Sequence, residues 1–244
     1  MLEGKRILVT GASGGIGSAV ARGCARAGAI VGLGFRASRR QAETLAAEAP
    51  ESFRLVPFDV HLPEEVDRAI TAFVAAEGRV DGLVNAAGVI HPELLAVART
   101  EALRELLETN LLGSLFCARA VLPQMIRQRS GVILNLSSVA AVHPSRGQAA
   151  YAATKAGLEA LTRGLAVEYG RKGIRAVGIR VGPVATRMLE GTRAIAETEL
   201  LAHLPFARLG RPEEVADLAV FLLGEKAGYI TGSIHTVDGG YLQG

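Results

Sequence analysis

Seven short runs of apolar and β-branched residues, separated by longer stretches of helical character, follow one another along the whole chain. They are Arg6 to Thr10, Ile30 to Phe35, Phe53 to Val56, Gly82 to Asn85, Val132 to Ser137, Arg175 to Val181 and Ser233 to Val237. Most lack the strict alternation of a strand with one wet face, so they read as parallel strands covered by helices on both sides. The intervening segments carry their own start signals. "LPEEVDRAI" and "RPEEVADLAVFLL" each place a proline in the first turn and two glutamates at the positive end of the helix dipole. No repeat, linker or low-complexity tract interrupts the pattern, and 244 residues at 49% hydrophobic composition suffice for one core. The expected fold is α/β: one domain over residues 1–244, a doubly wound parallel seven-stranded sheet with a ligand crevice at the carboxyl ends of its strands.

Charge and cysteine usage narrow the function classes. The net charge is +3 and the 27 basic residues are scattered, which argues against nucleic acid as a partner and leaves acidic partners open. Cys24 and Cys117 both fall in helical segments and read as buried thiols, with no disulfide or metal site expected. No apolar run approaches the roughly 20 residues of a membrane span, and "MLEGKRILVT" lacks the layout of a signal peptide, so no membrane association and a cytoplasmic location are expected.

The crevice directs attention to the strand ends. After the first run comes "TGASGGIG", with four glycines in eight residues. Glycine fits where φ is positive or where another group approaches the backbone, and a helix start beyond such a turn can hold a phosphate; a tight packing turn without a ligand is the alternative. Gly11, Ser13, Gly14, Gly15, Ile16 and Gly17 are the candidate contacts. After the second run stands Arg36, where a guanidinium suits a 2′-phosphate and an acidic residue would suit the free ribose hydroxyls of NAD. Arg39 and Arg40 add to the local positive field, although Arg36 also fits a solvated residue before a helix. Asp59 and Val60 follow the third run, placed for an adenine or for a turn cap. Asn85, Ala86, Ala87 and Gly88 close the fourth, combining an amide with small residues that admit a flat ligand or stabilise a turn.

Thirteen residues beyond Ser138 begins "YAATKAG", which sets Tyr151 and Lys155 four apart. On a helix the two share a face, about 5–6 Å apart at Cβ. A tyrosine of pKa near 10 works as an acid or base at neutral pH only where its phenolate is stabilised, and an ammonium does this. An exposed pair at the same spacing would have no such role.

These motifs, in this order, resemble the short-chain dehydrogenase/reductase family over essentially the full length. Thr10-Gly11-x-x-x-Gly15-Ile16-Gly17 is similar to its cofactor turn, Asn85-Ala86-Ala87-Gly88 to its N-N-A-G element, and Asn110, Ser138, Tyr151 and Lys155 to its catalytic tetrad. Within the family, "GRVDGLVNAAG", "ETNLLGSLF", "GQAAYAATKAGL", "LGRPEEVADLAVFL" and "YITGSIHTVDGG" resemble 3-oxoacyl-acyl-carrier-protein reductases. The resemblance implies a Rossmann-like dinucleotide-binding domain, a homotetramer, and reduction of a carbonyl by NADP(H), with NAD(H) as the other cofactor. In that scheme Ser138 binds the carbonyl, Tyr151 supplies the proton, Lys155 lowers the Tyr151 pKa and holds the nicotinamide ribose, and Asn110 helps hold a water. Gly182, Val184 and Thr186 line the nicotinamide.

Three departures stand out. Gly14 occupies a position where many NADP-dependent members carry a basic residue, Ala86 replaces an asparagine, and Val181-Gly182-Pro183 shifts the usual proline, which leaves the local backbone path open. The substrate implied is a 3-oxoacyl group on acyl carrier protein, in fatty acid synthesis. Another small alcohol, sugar or ketone is the alternative enzyme reading, and a catalytically silent nucleotide-binding regulator the non-enzymatic one. Arg127, Arg129, Arg171 and Lys172 are candidates for docking an acidic carrier beside the crevice, or for stabilising helix ends. The segment from residue 187 to 210 is a candidate lid or a packed helix, and His143 a candidate substrate contact or a solvated loop residue.

Overall fold

The computed structural model describes residues 1–186, 201 and 204–243. Its sheet has seven strands: β1 (Arg6–Val9), β2 (Ile30–Phe35), β3 (Phe53–Pro57), β4 (Gly82–Asn85), β5 (Gly131–Ser138), β6 (Ile174–Val181) and β7 (Ile234–Val237). All pair in parallel, in the order β3-β2-β1-β4-β5-β6-β7. The order reverses between β1 and β4, which opens a crevice at their carboxyl ends. Pro57 ends β3, an edge strand, where a missing N–H costs no ladder bond.

Among the described residues the α-helices are α1 (Gly15–Arg26), α2 (Arg39–Glu48), α3 (Pro63–Glu77), α4 (Thr100–Leu107), α5 (Gly113–Gln128), α6 (Ala149–Tyr169) and α7 (Pro212–Leu223). The predicted starts are realised: Pro63 and Pro212 sit in first turns, each followed by two glutamates, and Glu214 accepts the Arg211 N–H at 2.7 Å. Two apolar cores follow from the two sheet faces. Ile7, Val9, Leu33, Leu134 and Ile179 pack under α1, α2 and α7, while Leu8, Leu83, Ile133 and Ala176 pack under α3, α5 and α6. Cys24 lies in the first core and Cys117 in the second, so the sheet separates them, and burial pushes both thiols up to about 12. Among the described residues no helix is long and apolar enough to cross a membrane.

Candidate active site

The glycine turn has specific steric causes. Gly11 sits at φ +61°, and a Cβ there would lie 2.8 Å from the Ala87 Cα. A side chain at Gly17 would strike the Gly11 carbonyl oxygen, and one at Gly15 would come within 2.7 Å of the Thr186 methyl. Thr10 ties this turn to the end of β4: its Oγ1 accepts from the Ala86 and Ala87 N–H groups, both at 3.0 Å. The glycines thus let β1, β4 and the segment after β6 that carries Thr186 converge while the start of α1 faces open space.

That space is a cavity of about 710 Å³ along the carboxyl ends of the strands. Of the expected cofactor residues, the walls contain Gly11, Ser13, Gly14, Gly15, Ile16, Gly17, Arg36, Asp59, Val60, Ala86, Ala87, Gly88, Tyr151, Lys155, Gly182, Val184 and Thr186. Arg36 is half exposed, 3.6 Å from the Asp59 carboxylate and 3.4 Å from His61 Nδ1. Asp59 also accepts the His61 N–H at 2.9 Å, so it caps its own turn while facing Arg36. The path around Pro183 is settled by pairing: the Gly182 N–H donates to Val237 O and the Gly210 N–H to Pro183 O, each at 2.9 Å. Proline falls at a residue whose N–H no ladder needs.

At the other end of the cavity, β5 delivers Ser138 and α6 delivers Tyr151 and Lys155. The Ser138 hydroxyl lies close enough to the Tyr151 phenol to lower its pKa, and it accepts the Ala140 N–H at 3.2 Å. Lys155 Nζ donates to Leu136 O at 3.0 Å and lies 5.7 Å from the centre of the Tyr151 ring. Burial pushes the Tyr151 phenol above its ordinary value, opposed by the Ser138 hydroxyl, and pulls the Lys155 ammonium down to about 8. Desolvation thus dominates at Tyr151, the expected lowering by Lys155 is not among the influences on the phenol here, and Tyr151 carries its proton at neutral pH.

Two expected residues stand behind the wall. Asn85 is buried and turns inward, donating to Asn135 Oδ1 on the neighbouring strand at 2.8 Å. Asn110 is fully buried in a π-helical turn, Glu108–Leu112, between α4 and α5. Its amide is committed at both ends: Val89 N–H donates to Oδ1 at 2.8 Å, and Nδ2 donates to Val89 O at 3.0 Å and Thr154 Oγ1 at 3.2 Å. It positions the loop after β4 against α6, and Gly88 is left facing both Asn110 Oδ1 and Lys155 Nζ.

The docking arginines are displaced from expectation. Arg129 caps α5 just before β5, and Arg171 and Lys172 precede β6, so they meet at the first rung, Gly131 opposite Ile174, with Arg127 close by in the last turn of α5. Ser138 is at the last rung, about 23 Å away at roughly 3.3 Å per residue. Both pairs leave their helices at the amino end of the sheet, opposite to the crevice. Most of the candidate lid, residues 187–200 with 202 and 203, lies outside the described residues. His143 does line the cavity, with its ring edge-on to Tyr241 at 6.0 Å. The sequence reading missed His61, Arg146 and Tyr241 in the wall; the position of Tyr241 just beyond β7 was the one available signal.

The residues fit a dinucleotide. The glycine turn and the start of α1 line the cavity and suit a pyrophosphate, and Arg36 on the same wall suits a phosphate on the ribose.

Comparison with known proteins agrees. A family model described as "Enoyl-(Acyl carrier protein) reductase" matches residues 11–242. A 3-oxoacyl-(acyl-carrier-protein) reductase of Staphylococcus aureus is 36% identical over 240 residues, 97% of each chain. One from Thermotoga maritima is 35% identical over 242 residues, 98% of each chain. The solved structure of a gluconate 5-dehydrogenase from Burkholderia cenocepacia, in complex with NADP and tartrate, superposes with a TM-score of 0.95 at 33% identity, covering 100% of this chain and 97% of that one. Matched from the glycine turn to the segment beyond β7, the chain belongs to the short-chain dehydrogenase/reductase family of oxidoreductases.

Proposed function

We propose that the chain is an NADP(H)-dependent carbonyl reductase whose substrate is a 3-oxoacyl thioester on acyl carrier protein, working as one dinucleotide-binding domain. The observation that carries the chemistry is the convergence of Ser138, Tyr151 and Lys155 on one end of a cavity whose other end holds the glycine turn and Arg36. Near-full-length identity to two such reductases supports the substrate.

The bound nicotinamide would supply a hydride to the carbonyl carbon. The chain's part is position and protons. Ser138 Oγ and the Tyr151 phenol, neighbours on the cavity wall, form a two-donor seat for one carbonyl oxygen. Tyr151 transfers its proton to that oxygen as negative charge develops, and Lys155 stabilises the phenolate left behind. Lys155 also faces the cavity, where ribose hydroxyls can take its N–H groups.

A second reading has its own support. The neighbour holding tartrate is a gluconate 5-dehydrogenase, and the cavity wall near Tyr151 includes Ser145, Arg146 and Gln148, which suit a polyhydroxy acid. Initial rates with NADPH and NADH across 3-oxoacyl thioesters, with and without the carrier, and 5-oxogluconate decide between them. A carrier-linked thioester should give the highest kcat/KM; a higher value for 5-oxogluconate overturns the thioester reading. Homotetramer formation belongs to the same proposal and is read by light scattering; exposed Leu95, Val97, Leu107, Leu112 and Leu115 around α4 and α5 offer apolar surface for it.

Cofactor choice gives a separate expectation. Arg36→Ala should weaken NADPH roughly tenfold by direct binding, the scale of a charge-assisted bond discounted for exposure, and leave NADH unchanged. Equal loss for both cofactors removes Arg36 from the 2′-phosphate site.

A further inference from the structure

The contact between β5 and α6 is a polar seam built rung by rung. Ser138 meets Tyr151, Leu136 O takes Lys155 Nζ, and Asn135 Nδ2 donates to Thr162 Oγ1 at 2.9 Å. Between these rungs lies Ser137, 4% exposed, whose hydroxyl reaches Lys155 O at 3.2 Å and Glu159 Oε1 at 3.0 Å. Glu159 is itself 5% exposed and grips Arg180 of β6 with two bonds, Nε to Oε1 at 2.9 Å and Nη2 to Oε2 at 2.7 Å. Arg180 sits directly opposite Ser137 in the sheet.

Glu159 is buried and Arg180 part-buried, and an ion pair so far withdrawn from water is a poor way to gain stability, since apolar residues of similar volume often do as well or better. What it adds is direction. A bidentate guanidinium–carboxylate pair has one preferred geometry. Here it fixes the helix face that carries Tyr151, Lys155 and Glu159, one turn apart, against the last two residues of the strand that carries Ser138. We propose that Glu159 and Arg180 are positioning residues for carbonyl reduction, holding the β5–α6 seam at the spacing that lets Ser138 and Tyr151 share one oxygen. The proposal rests on the reading of Ser138, Tyr151 and Lys155 as the reacting set.

The test compares Glu159→Leu/Arg180→Leu, Ser137→Ala, the triple variant and a Tyr151→Phe control. The probe is acetoacetyl-coenzyme A with NADPH, or 5-oxogluconate if that is the better substrate. Loss of both charges together avoids an unpaired buried ion, so the double variant should keep its melting temperature and its NADPH affinity. Its kcat should fall on the order of tenfold, within the hundredfold that a 1 Å misplacement can cost. The isotope effect from 4-deuterated NADPH should rise as hydride transfer becomes limiting. In the cofactor-free protein, amides of residues 136–138 should exchange faster. Ser137→Ala should cause a similar fall alone and no further fall in the double background, because both act through one hydroxyl. Should the double variant not fold, Ser137→Ala decides by the same rate, isotope and exchange measurements. Wild-type kcat and exchange, or full multiplication of the two effects, overturns the positioning role. Near-normal turnover of Tyr151→Phe instead overturns the underlying reading of the site, a result distinguishable from the first.

Discussion

Tyr151→Phe is expected to lower turnover by roughly two to four powers of ten while leaving NADPH binding intact, the range for a lost general acid. The substitution removes one oxygen and keeps the ring, which packs with Leu106, Ala140 and Ala152 in a small buried cluster. The lost hydroxyl is the neighbour of Ser138 and, by geometry, the proton nearest a carbonyl oxygen seated between them. Because burial holds the phenol protonated at neutral pH, the wild-type rate of carbonyl reduction should be flat through neutrality and decline above about 8, where Lys155 loses the charge that stabilises the phenolate, before the phenol itself titrates. Stopped-flow hydride transfer and equilibrium fluorescence of bound NADPH separate the two quantities. Turnover within a factor of about three of wild type, below any general-acid effect, would mean that the proton comes from another group.

How much of the fold and site is legible in the sequence depends on which force places each residue. Strand and helix order follow from composition and spacing, because buried parallel strands need apolar residues on both faces. No strand end differs from expectation by more than one residue. β5 extends to Gly131 and Ser138 because β6 supplies partners at Ile174 and Val181, and pairing of that kind is nonlocal. Residues directly at the carboxyl ends of strands, such as Arg36, Asp59 and Ser138, reach the cavity as topology requires. Direction was harder. Asn85 ends a strand like the others, yet it turns toward Asn135, and only packing on the neighbouring strand decides that. Arg129 and Lys172 were placed beside the crevice on the grounds that their helices flank it, but both helices run away from it toward the amino end of the sheet. The spacing of Tyr151 and Lys155 foretold their shared face and not their electrostatics, since burial depends on what covers them. His61 and Arg146 project from connections whose paths no periodicity encodes.

Lys155→Met should abolish most activity and yet cost little stability near neutral pH, an asymmetry set by what burial does to an ammonium. In the folded chain the Lys155 pKa falls from 10.5 to about 8 because the charged form is desolvated. At about 1.4 kcal/mol per tenfold, that drop is a penalty on the order of 3 kcal/mol whenever the side chain is charged in both states. The sign follows from proton counts. Between pH 8 and 10.5 the unfolded chain holds more protons at this site than the folded chain, so wild-type stability rises with pH across that window. Above the window the penalty is absent; as pH falls through about 8 it is restored in full. Methionine keeps much of the length and carries no charge, so it escapes the penalty, but it strands the Leu136 carbonyl, a loss of about 1–3 kcal/mol. The two nearly cancel at pH 7, and the variant should lie within about 2 kcal/mol of wild type there. Raised to pH 10, wild type should gain on the variant, because only wild type is relieved of a buried charge. Exposed groups titrate alike in both proteins and drop out of the difference. Turnover, in contrast, should fall by a hundredfold or more, since the phenolate formed at Tyr151 loses its nearest cation. Denaturant midpoints of both proteins from pH 7 to 10 supply the check: a stability difference that stays constant over that range would show that Lys155 is not charged and buried together, and its stabilisation of Tyr151 would need another source.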